Sequence, residues 1–434
     1  MDHKFQIFQY PQNKSKNILD MDFDTSFGSA PAKPELSLGF IHFDHMTKRK
    51  TEVLYSDKLK GKTFYLVTHN FEHRIENYKE DLNFKISKKF KLKNGWISRA
   101  AYKMWEILSL LKITDDNKSM NMLHLAEAPG SFVQAIISYR ELNSKKSSGD
   151  KHYVVSIKEN DKSVPSLDKL NKSLSSAHKK KVTLHKYTSV DKGDLTTVNT
   201  LQNIAKNVKK ADLITADGGF NWTNENFQEQ EVYRLLIGEI IGAIMNQAKN
   251  GHFIIKFFET FTSTSIKIVE ILSKFYKNIF IYKPLTSRSS NSEKYIICES
   301  FTMSSEKEIN KYVSKLIKLL EEINRQELVN NLYLHDISYE YKIPKVTKVF
   351  FKYMNTNLMI SQMKQINKMI NYINSENYFG DEYHAYKKNQ IDATNFWYSN
   401  FIENSKTISY QFVQQIKKNM EEIDNEFNKY IDSP

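Results

Sequence analysis

Seven apolar runs of strand length, most of them separated by helix-length segments, occupy the middle of the 434-residue chain. The runs are 122–126, 152–157, 182–187, 212–216, 252–258, 278–282 and 295–299, with helix-length segments at 196–209, 229–247 and 263–275. A strand that continues through a helix into the next strand must cross over, which makes the strands parallel and lays the helix on a sheet face. The alternation therefore predicts an α/β fold of Rossmann-like type, a seven-stranded, mostly parallel sheet with helices on both faces. No helix separates the last two runs, so one antiparallel strand is expected at the sheet edge.

The first run breaks off at Glu127-Ala128-Pro129-Gly130-Ser131-Phe132, and a helix-forming segment begins at once. This is the pattern of a buried strand running into a tight turn over a ligand and then into a helix N-terminus. Gly130 lets the backbone approach closely and Pro129 fixes the turn. The glycine fingerprint that cradles a pyrophosphate is missing, and Glu127 would repel one. A carboxylate here suits a cationic ligand with amine or hydroxyl donors, such as S-adenosyl-L-methionine.

Residues 1–95 read as an N-terminal extension, polar and turn-rich through Pro31-Ala32-Lys33-Pro34 and poorly ordered at its start, with a β-like run at 63–67. Residues 96–303 hold the sheet domain. Beyond 304 the strands stop and a helical C-terminal region, 304–434, is expected. Its stripes are Ile309, Val313, Leu316, Leu320 and Ile323, then Ile360, Met363, Ile366, Ile370 and Ile373, then Phe412, Ile416, Met420, Ile423 and Phe427. They are expected to pack on one another or on the sheet domain.

Lys and Arg number 63 against 50 Asp and Glu, a net charge of +13 that favours a polyanionic partner, nucleic acid above all. One cysteine, Cys298, excludes an intrachain disulfide and a cysteine-based metal site, and fits a reducing compartment. The first residues lack the apolar core of a signal peptide, and the most apolar long stretch, 235–245, is short and carries Glu239. A cytoplasmic protein with no membrane span is expected.

Four charged residues punctuate the sheet pattern in order. Lys103 opens a helix ahead of the first strand, Asp217 ends the fourth run before Gly218-Gly219, Lys256 lies inside the fifth run, and Glu293 precedes the last. Each has a plainer reading. Asp217 could cap the next helix, Lys256 could snorkel from an edge strand, and Lys103 and Glu293 could be solvated charges.

Together, Ser98-Arg99-Ala100-Ala101-Tyr102-Lys103, the turn 127–132, Thr215-Ala216-Asp217-Gly218-Gly219-Phe220, Lys256, and Lys283-Pro284-Leu285-Thr286-Ser287-Arg288 with Asn291-Ser292-Glu293 resemble the FtsJ/RrmJ-type RNA ribose 2'-O-methyltransferases. The match runs from Ser98 to Cys298 and is nearest the cap-specific, adrift-like branch. The resemblance implies methyl transfer from S-adenosyl-L-methionine to a ribose 2'-hydroxyl of RNA, near the capped 5' end of mRNA. A protein of the capping apparatus is then an expected partner. It assigns Lys256 to the 2'-oxygen, Asp217 to orienting Lys256 beside the methyl donor, and Lys103 and Glu293 to holding the ribose. The cofactor falls to Glu127, Ala128, Pro129, Gly130, Ser131 and Phe132, with Asp217 beside them, and to Asp194, which resembles the family's Gly-Asp motif and would face the adenine. One departure stands out: the second run ends Ile157-Lys158-Glu159, without the acid that many such enzymes place there for the ribose hydroxyls. An rRNA-modifying enzyme and a catalytically silent scaffold subunit remain rivals. The Lys- and Asn-rich composition, joined to a cap-type enzyme, points toward a large DNA virus with an AT-rich genome.

Candidates for RNA contacts are Trp96, Arg99, Arg288, Phe220 and Trp222, although packing of Phe220 and Trp222 under the next helix is an equal alternative. His124, His152 and His252 fall in or beside separate runs and read as core or edge histidines, with no metal implied.

Overall fold

The seven apolar runs become seven strands of one mixed sheet. The computed structural model describes residues 4–11, 17–56, 59, 63–158, 164–219, 225–376 and 378–431. In chain order the strands are β1 (Gln6–Gln9), β2 (Ser26–Gly28), β3 (Asn121–Leu125), β4 (Lys151–Val154), β5 (Val182–Leu184), β6 (Ala211–Ala216), β7 (Gln247–Phe257), β8 (Tyr276–Lys283), β9 (Lys294–Phe301) and β10 (Tyr333–Asp336). The main sheet runs β1-β8-β9-β7-β6-β3-β4-β5, while β2 and β10 form a separate ribbon. β5, β4, β3, β6 and β7 pair in parallel.

Two details differ from the sequence expectation. β9 is antiparallel, as expected, but it lies between β7 and β8 rather than at the edge. The crossover helix Ser263–Phe275 carries β8 one strand beyond β7, and the short loop after β8 returns the chain into the gap. The start of the chain is also part of the sheet. β1 pairs antiparallel with β8, and its Ile7 and Phe8 are buried.

Side chains alternate between two cores, as the two-residue period of a strand requires. Leu123, Leu125, Ile214, Phe253 and Ile255 point to one face, against helices Tyr233–Asn246, Ser263–Phe275 and Glu306–Leu328. Met122, Leu213, Ile254 and Ile297 point to the other, against helices Ala100–Leu111 and Ser131–Asn143 and the C-terminal helix Ser405–Ile431.

The β-like run 63–67 is instead the short helix Phe64–Thr68. Phe64 packs there with Tyr372 and Tyr386, and Val67, three positions on, joins the same cluster. Of the C-terminal stripes, Ile309, Val313, Leu316, Leu320, Ile323, Ile366, Ile373, Phe412 and Ile423 are buried, whereas Ile360 is 40% exposed. Strands do not stop at 304: β10 pairs with β2. Among the described residues, no helix is long and apolar enough to cross a membrane.

The helix that follows the Glu127 turn is pinned at its far end by Arg140, which is fully buried. Its Nε and Nη2 each donate to Asp150 at 2.9 Å, and Nη1 and Nη2 reach the carbonyls of Thr114, Asp116 and Lys118. Removing one partner of a buried ion pair strands the other charge. Arg140→Ala should therefore lower the unfolding free energy by about 3–5 kcal/mol, read as a lower urea midpoint.

Candidate active site

The carboxyl ends of β6, β7 and β3 meet the start of β9 and one face of helix Ala100–Leu111, and four charges collect there in two pairs. Lys256 Nζ lies 3.3 Å from Asp217 Oδ1 and donates to the Asp217 carbonyl at 2.9 Å. Lys103 Nζ lies 2.5 Å from Glu293 Oε1. The pairs are coupled. Burial alone would push the Lys256 ammonium down, but Asp217, Glu293 and Glu239 outweigh it and hold the group above the ordinary lysine range. Glu293 also resists burial: Lys103 and Lys256 together keep its carboxyl well below the usual carboxylate range. Lys256 is only 12% exposed on the inner strand β7, so the snorkelling reading does not apply.

The turn after β3 lies against this cluster. Asp217 N is 3.4 Å from the Leu125 carbonyl, which sets the end of β6 beside the turn. Ala128 N donates to Ser156 Oγ, and Gly130 adopts φ +102° as it enters the helix. A side chain at Gly130 would collide with Leu170. Glu127 Oε1 caps the helix by accepting from Phe132 N at 2.8 Å and Val133 N at 3.2 Å. Its Oε2 is buried with no hydrogen-bond partner among the described residues. Burial, and then the charge of Asp217, push the Glu127 carboxyl well above its ordinary value. Ser131 Oγ bonds Ser98 Oγ at 2.7 Å, and Phe132 packs by Tyr295.

Residues 96–301 match the model of the FtsJ-like methyltransferase family. This part of the chain is an FtsJ-like methyltransferase domain. The family is one of S-adenosylmethionine-dependent RNA methyltransferases. Distant relatives are cap-specific mRNA (nucleoside-2'-O-)-methyltransferases. The form 2 protein of Danio rerio is 26% identical over 234 residues, 51% of this chain and 30% of the relative. That of Drosophila melanogaster is 34% identical over 115 residues, 26% of this chain and 15% of the relative. The form 1 protein of Bos taurus is 31% identical over 145 residues, 32% of this chain and 17% of the relative. The matched segment thus spans less than a third of any of these relatives.

Within the FtsJ-like domain, the remaining sequence candidates divide. Asp194 is half-buried and its Oδ1 accepts from Thr196 N and Thr196 Oγ1, opening the next helix. Trp96 is not an RNA contact: it is 2% exposed and wedged among Phe90, Tyr102 and Trp105 in the core. Arg99 and Arg288 both turn to the buried Glu72 of the N-terminal segment, at 3.2 and 3.7 Å. Burial would raise that carboxyl, but His73, Arg99 and His69 bring it down to about 2. Glu159, Phe220 and Trp222 lie outside the described residues. His124 and His152 are buried and bonded to each other at 3.0 Å, as core histidines.

Three side chains at the site escaped the sequence reading. Tyr295 OH donates to Asp217 Oδ1 at 3.0 Å from β9, directly across from Lys256. Ser287 Oγ donates to Glu293 Oε1 at 2.9 Å. Glu239 Oε1 accepts from Gly218 N at 3.2 Å, and burial raises its carboxyl to about 8 against the opposing pull of Lys256. Glu239 left a signal, being the single charge in the apolar stretch 235–245. Ser287 left one too, lying in the motif 283–288, whereas Tyr295 left none beyond its place in the last apolar run.

Because folding depresses the Glu293 carboxyl, its ion pair stabilises fully above the unfolded value near ~4.3 and is lost as pH falls. The stability gap between the wild type and Glu293→Gln, followed by thermal melts, should close progressively below about pH 4.

Proposed function

We propose that this protein transfers a methyl group from S-adenosyl-L-methionine to a ribose 2'-hydroxyl of RNA, on nucleotides next to the mRNA cap. The observation that carries the reading is the largely buried, alternating array of Lys103, Glu293, Lys256 and Asp217 beside the Glu127 turn. The cap assignment rests on the names of the relatives. The cofactor reading passes a chemical test. Glu127 Oε2 is buried without a hydrogen-bond partner, and burial and then the charge of Asp217 disfavour the charged form of its carboxyl. A ligand with a positive charge and N–H donors satisfies both. The turn from Glu127 through Ala128, Pro129, Gly130 and Ser131 to Phe132 would hold it, with Asp217 beside it and Asp194 at the far end. When bound, the cofactor supplies an electrophilic methyl group.

A ribose hydroxyl is hardly ionised at neutral pH. Lys256 is held protonated, which makes it a poor base and a good hydrogen-bond donor. Two of its donors point at Asp217, which leaves the third for the 2'-oxygen. Its charge then lowers the hydroxyl pKa and favours the oxyanion as it forms, the hydroxyl proton leaving to solvent water. Asp217, itself fixed by Tyr295, orients Lys256. Lys103 and Glu293 hold the ribose, so that the oxygen stands in line with the transferred methyl, where positioning supplies much of the rate.

Lys256→Ala should lose transfer at least ~100-fold in a labelled-methyl assay while cofactor affinity stays unchanged. Methylation of a capped RNA but not its uncapped match supports the cap assignment. Equal transfer to both would sink it, and cofactor binding with no transfer to any RNA would point to a scaffold. Glu127→Gln should weaken S-adenosylmethionine by about 1.5–3 kcal/mol, the worth of a hydrogen bond to a charged group, in calorimetric titration. Binding a cation favours the ionised form of a carboxyl whose pKa folding raises, so wild-type affinity should rise with pH, a rise the variant lacks.

A further inference from the structure

A cavity of about 350 Å³ opens beside the Lys103–Glu293 pair, where the end of β8 and its following loop meet β1, Phe71 and helix Lys345–Asn374. Ser287 connects the two places: it lines the cavity and donates to Glu293 Oε1. Lys283 does so from beneath, walling the cavity while its Nζ bonds the carbonyls of Asn291 and Glu293. Most of the lining comes from outside residues 96–301, from the N-terminal segment and the C-terminal helices.

We propose that this cavity takes a ribonucleotide of the RNA chain adjacent to the acceptor nucleotide. The inference rests on the RNA methyltransferase reading above and extends its substrate site. The exposed Lys4 and Lys364 stand at the cavity from two different segments, where either can neutralise a phosphate. The buried Phe5 and Phe71 supply an apolar wall for a base, and Ser287 and Asn357 supply polar atoms for its edge or sugar. The volume falls within the range of cavities that take small ligands. The net charge of +13 favours the approach of a polyanion.

The test uses the full chain and direct RNA binding, so it does not depend on methyl transfer. Fluorescence anisotropy of a short single-stranded oligoribonucleotide, capped and uncapped, is measured across a salt series for Lys364→Glu and Lys4→Glu. Each variant should bind about tenfold more weakly, with the log–log salt slope lower by about 0.7 for the lost phosphate contact. S-adenosylmethionine affinity should not change. A larger loss with the capped RNA assigns the nucleotide to the capped end, and an equal loss assigns it to the body of the chain. A nucleoside monophosphate should compete with RNA in the wild type where inorganic phosphate does not. Unchanged affinity and slope in both variants would overturn the proposal, as would phosphate competing as well as the nucleotide. Lost RNA binding in the variants of an otherwise inactive protein would keep the cavity and remove the methyl-transfer reading.

Discussion

The buried carboxylate of Glu106 holds together the parts that make the site. It lies one turn after Lys103 on helix Ala100–Leu111 and is entirely removed from solvent. It accepts from Tyr282 OH at the end of β8, from Leu285 N, Thr286 N and Thr286 Oγ1 in the loop leading to Glu293, and from Trp397 Nε1 in a C-terminal helix. Burial pushes this carboxyl up, and the donors around it pull the other way. Five donors on one acid leave little freedom in where the loop runs relative to the helix. The Lys103–Glu293 contact follows from that constraint, because one partner rides on the helix and the other on the loop.

The same logic explains why four charges can stand close together largely out of solvent. An isolated ion in a protein interior costs several kcal/mol, and attraction repays this only when geometry and hydrogen bonding are good. Here the signs alternate, and each acid takes a second donor: Tyr295 on Asp217 and Ser287 on Glu293. Glu239 adds a third acid near Lys256, but burial raises its carboxyl to about 8, so it supplies less negative charge at physiological pH than Asp217 or Glu293. The balance keeps Lys256 cationic. A more apolar setting would have depressed its pKa and favoured a base in its place.

Much of this was legible in the residues. Apolar runs declared the strands because a two-sided parallel sheet leaves them no polar face. Lys256 was legible because a charge interrupts a run that otherwise excludes it, whereas Lys103, Asp217 and Glu293 were legible only through the ordered motifs around them. The position of β9 was not, since a short loop specifies antiparallel pairing but not which neighbour lies on the other side. β1 was hidden by its length: four residues with polar ends carry no period. Trp96 misled because an aromatic next to basic residues looks the same in sequence whether it stacks on a base or on Trp105. Glu106 was invisible, because its donors come from segments nearly 180 and 290 residues away.

The segments outside the FtsJ-like domain are wired into its charges rather than merely packed against it. Lys48 of helix Leu38–Arg49 lies 2.6 Å from Glu259 and 2.9 Å from Asp44, all three nearly solvent-free. Glu259 is three residues past Lys256 in the loop that leaves β7, and Lys48 is what keeps its carboxyl below the ordinary range against burial. Glu72 plays the corresponding part for Arg99 and Arg288 on the opposite side of the site. In the first place both charges are buried; in the second the buried charge is Glu72 of the N-terminal segment, and the domain contributes the partly exposed Arg99 and Arg288. A buried ion without its partner is far more costly than the pair. The domain's own surface is therefore incomplete at the two loops that flank Lys256 and Glu293, and the N-terminal segment is the part of the chain that completes it.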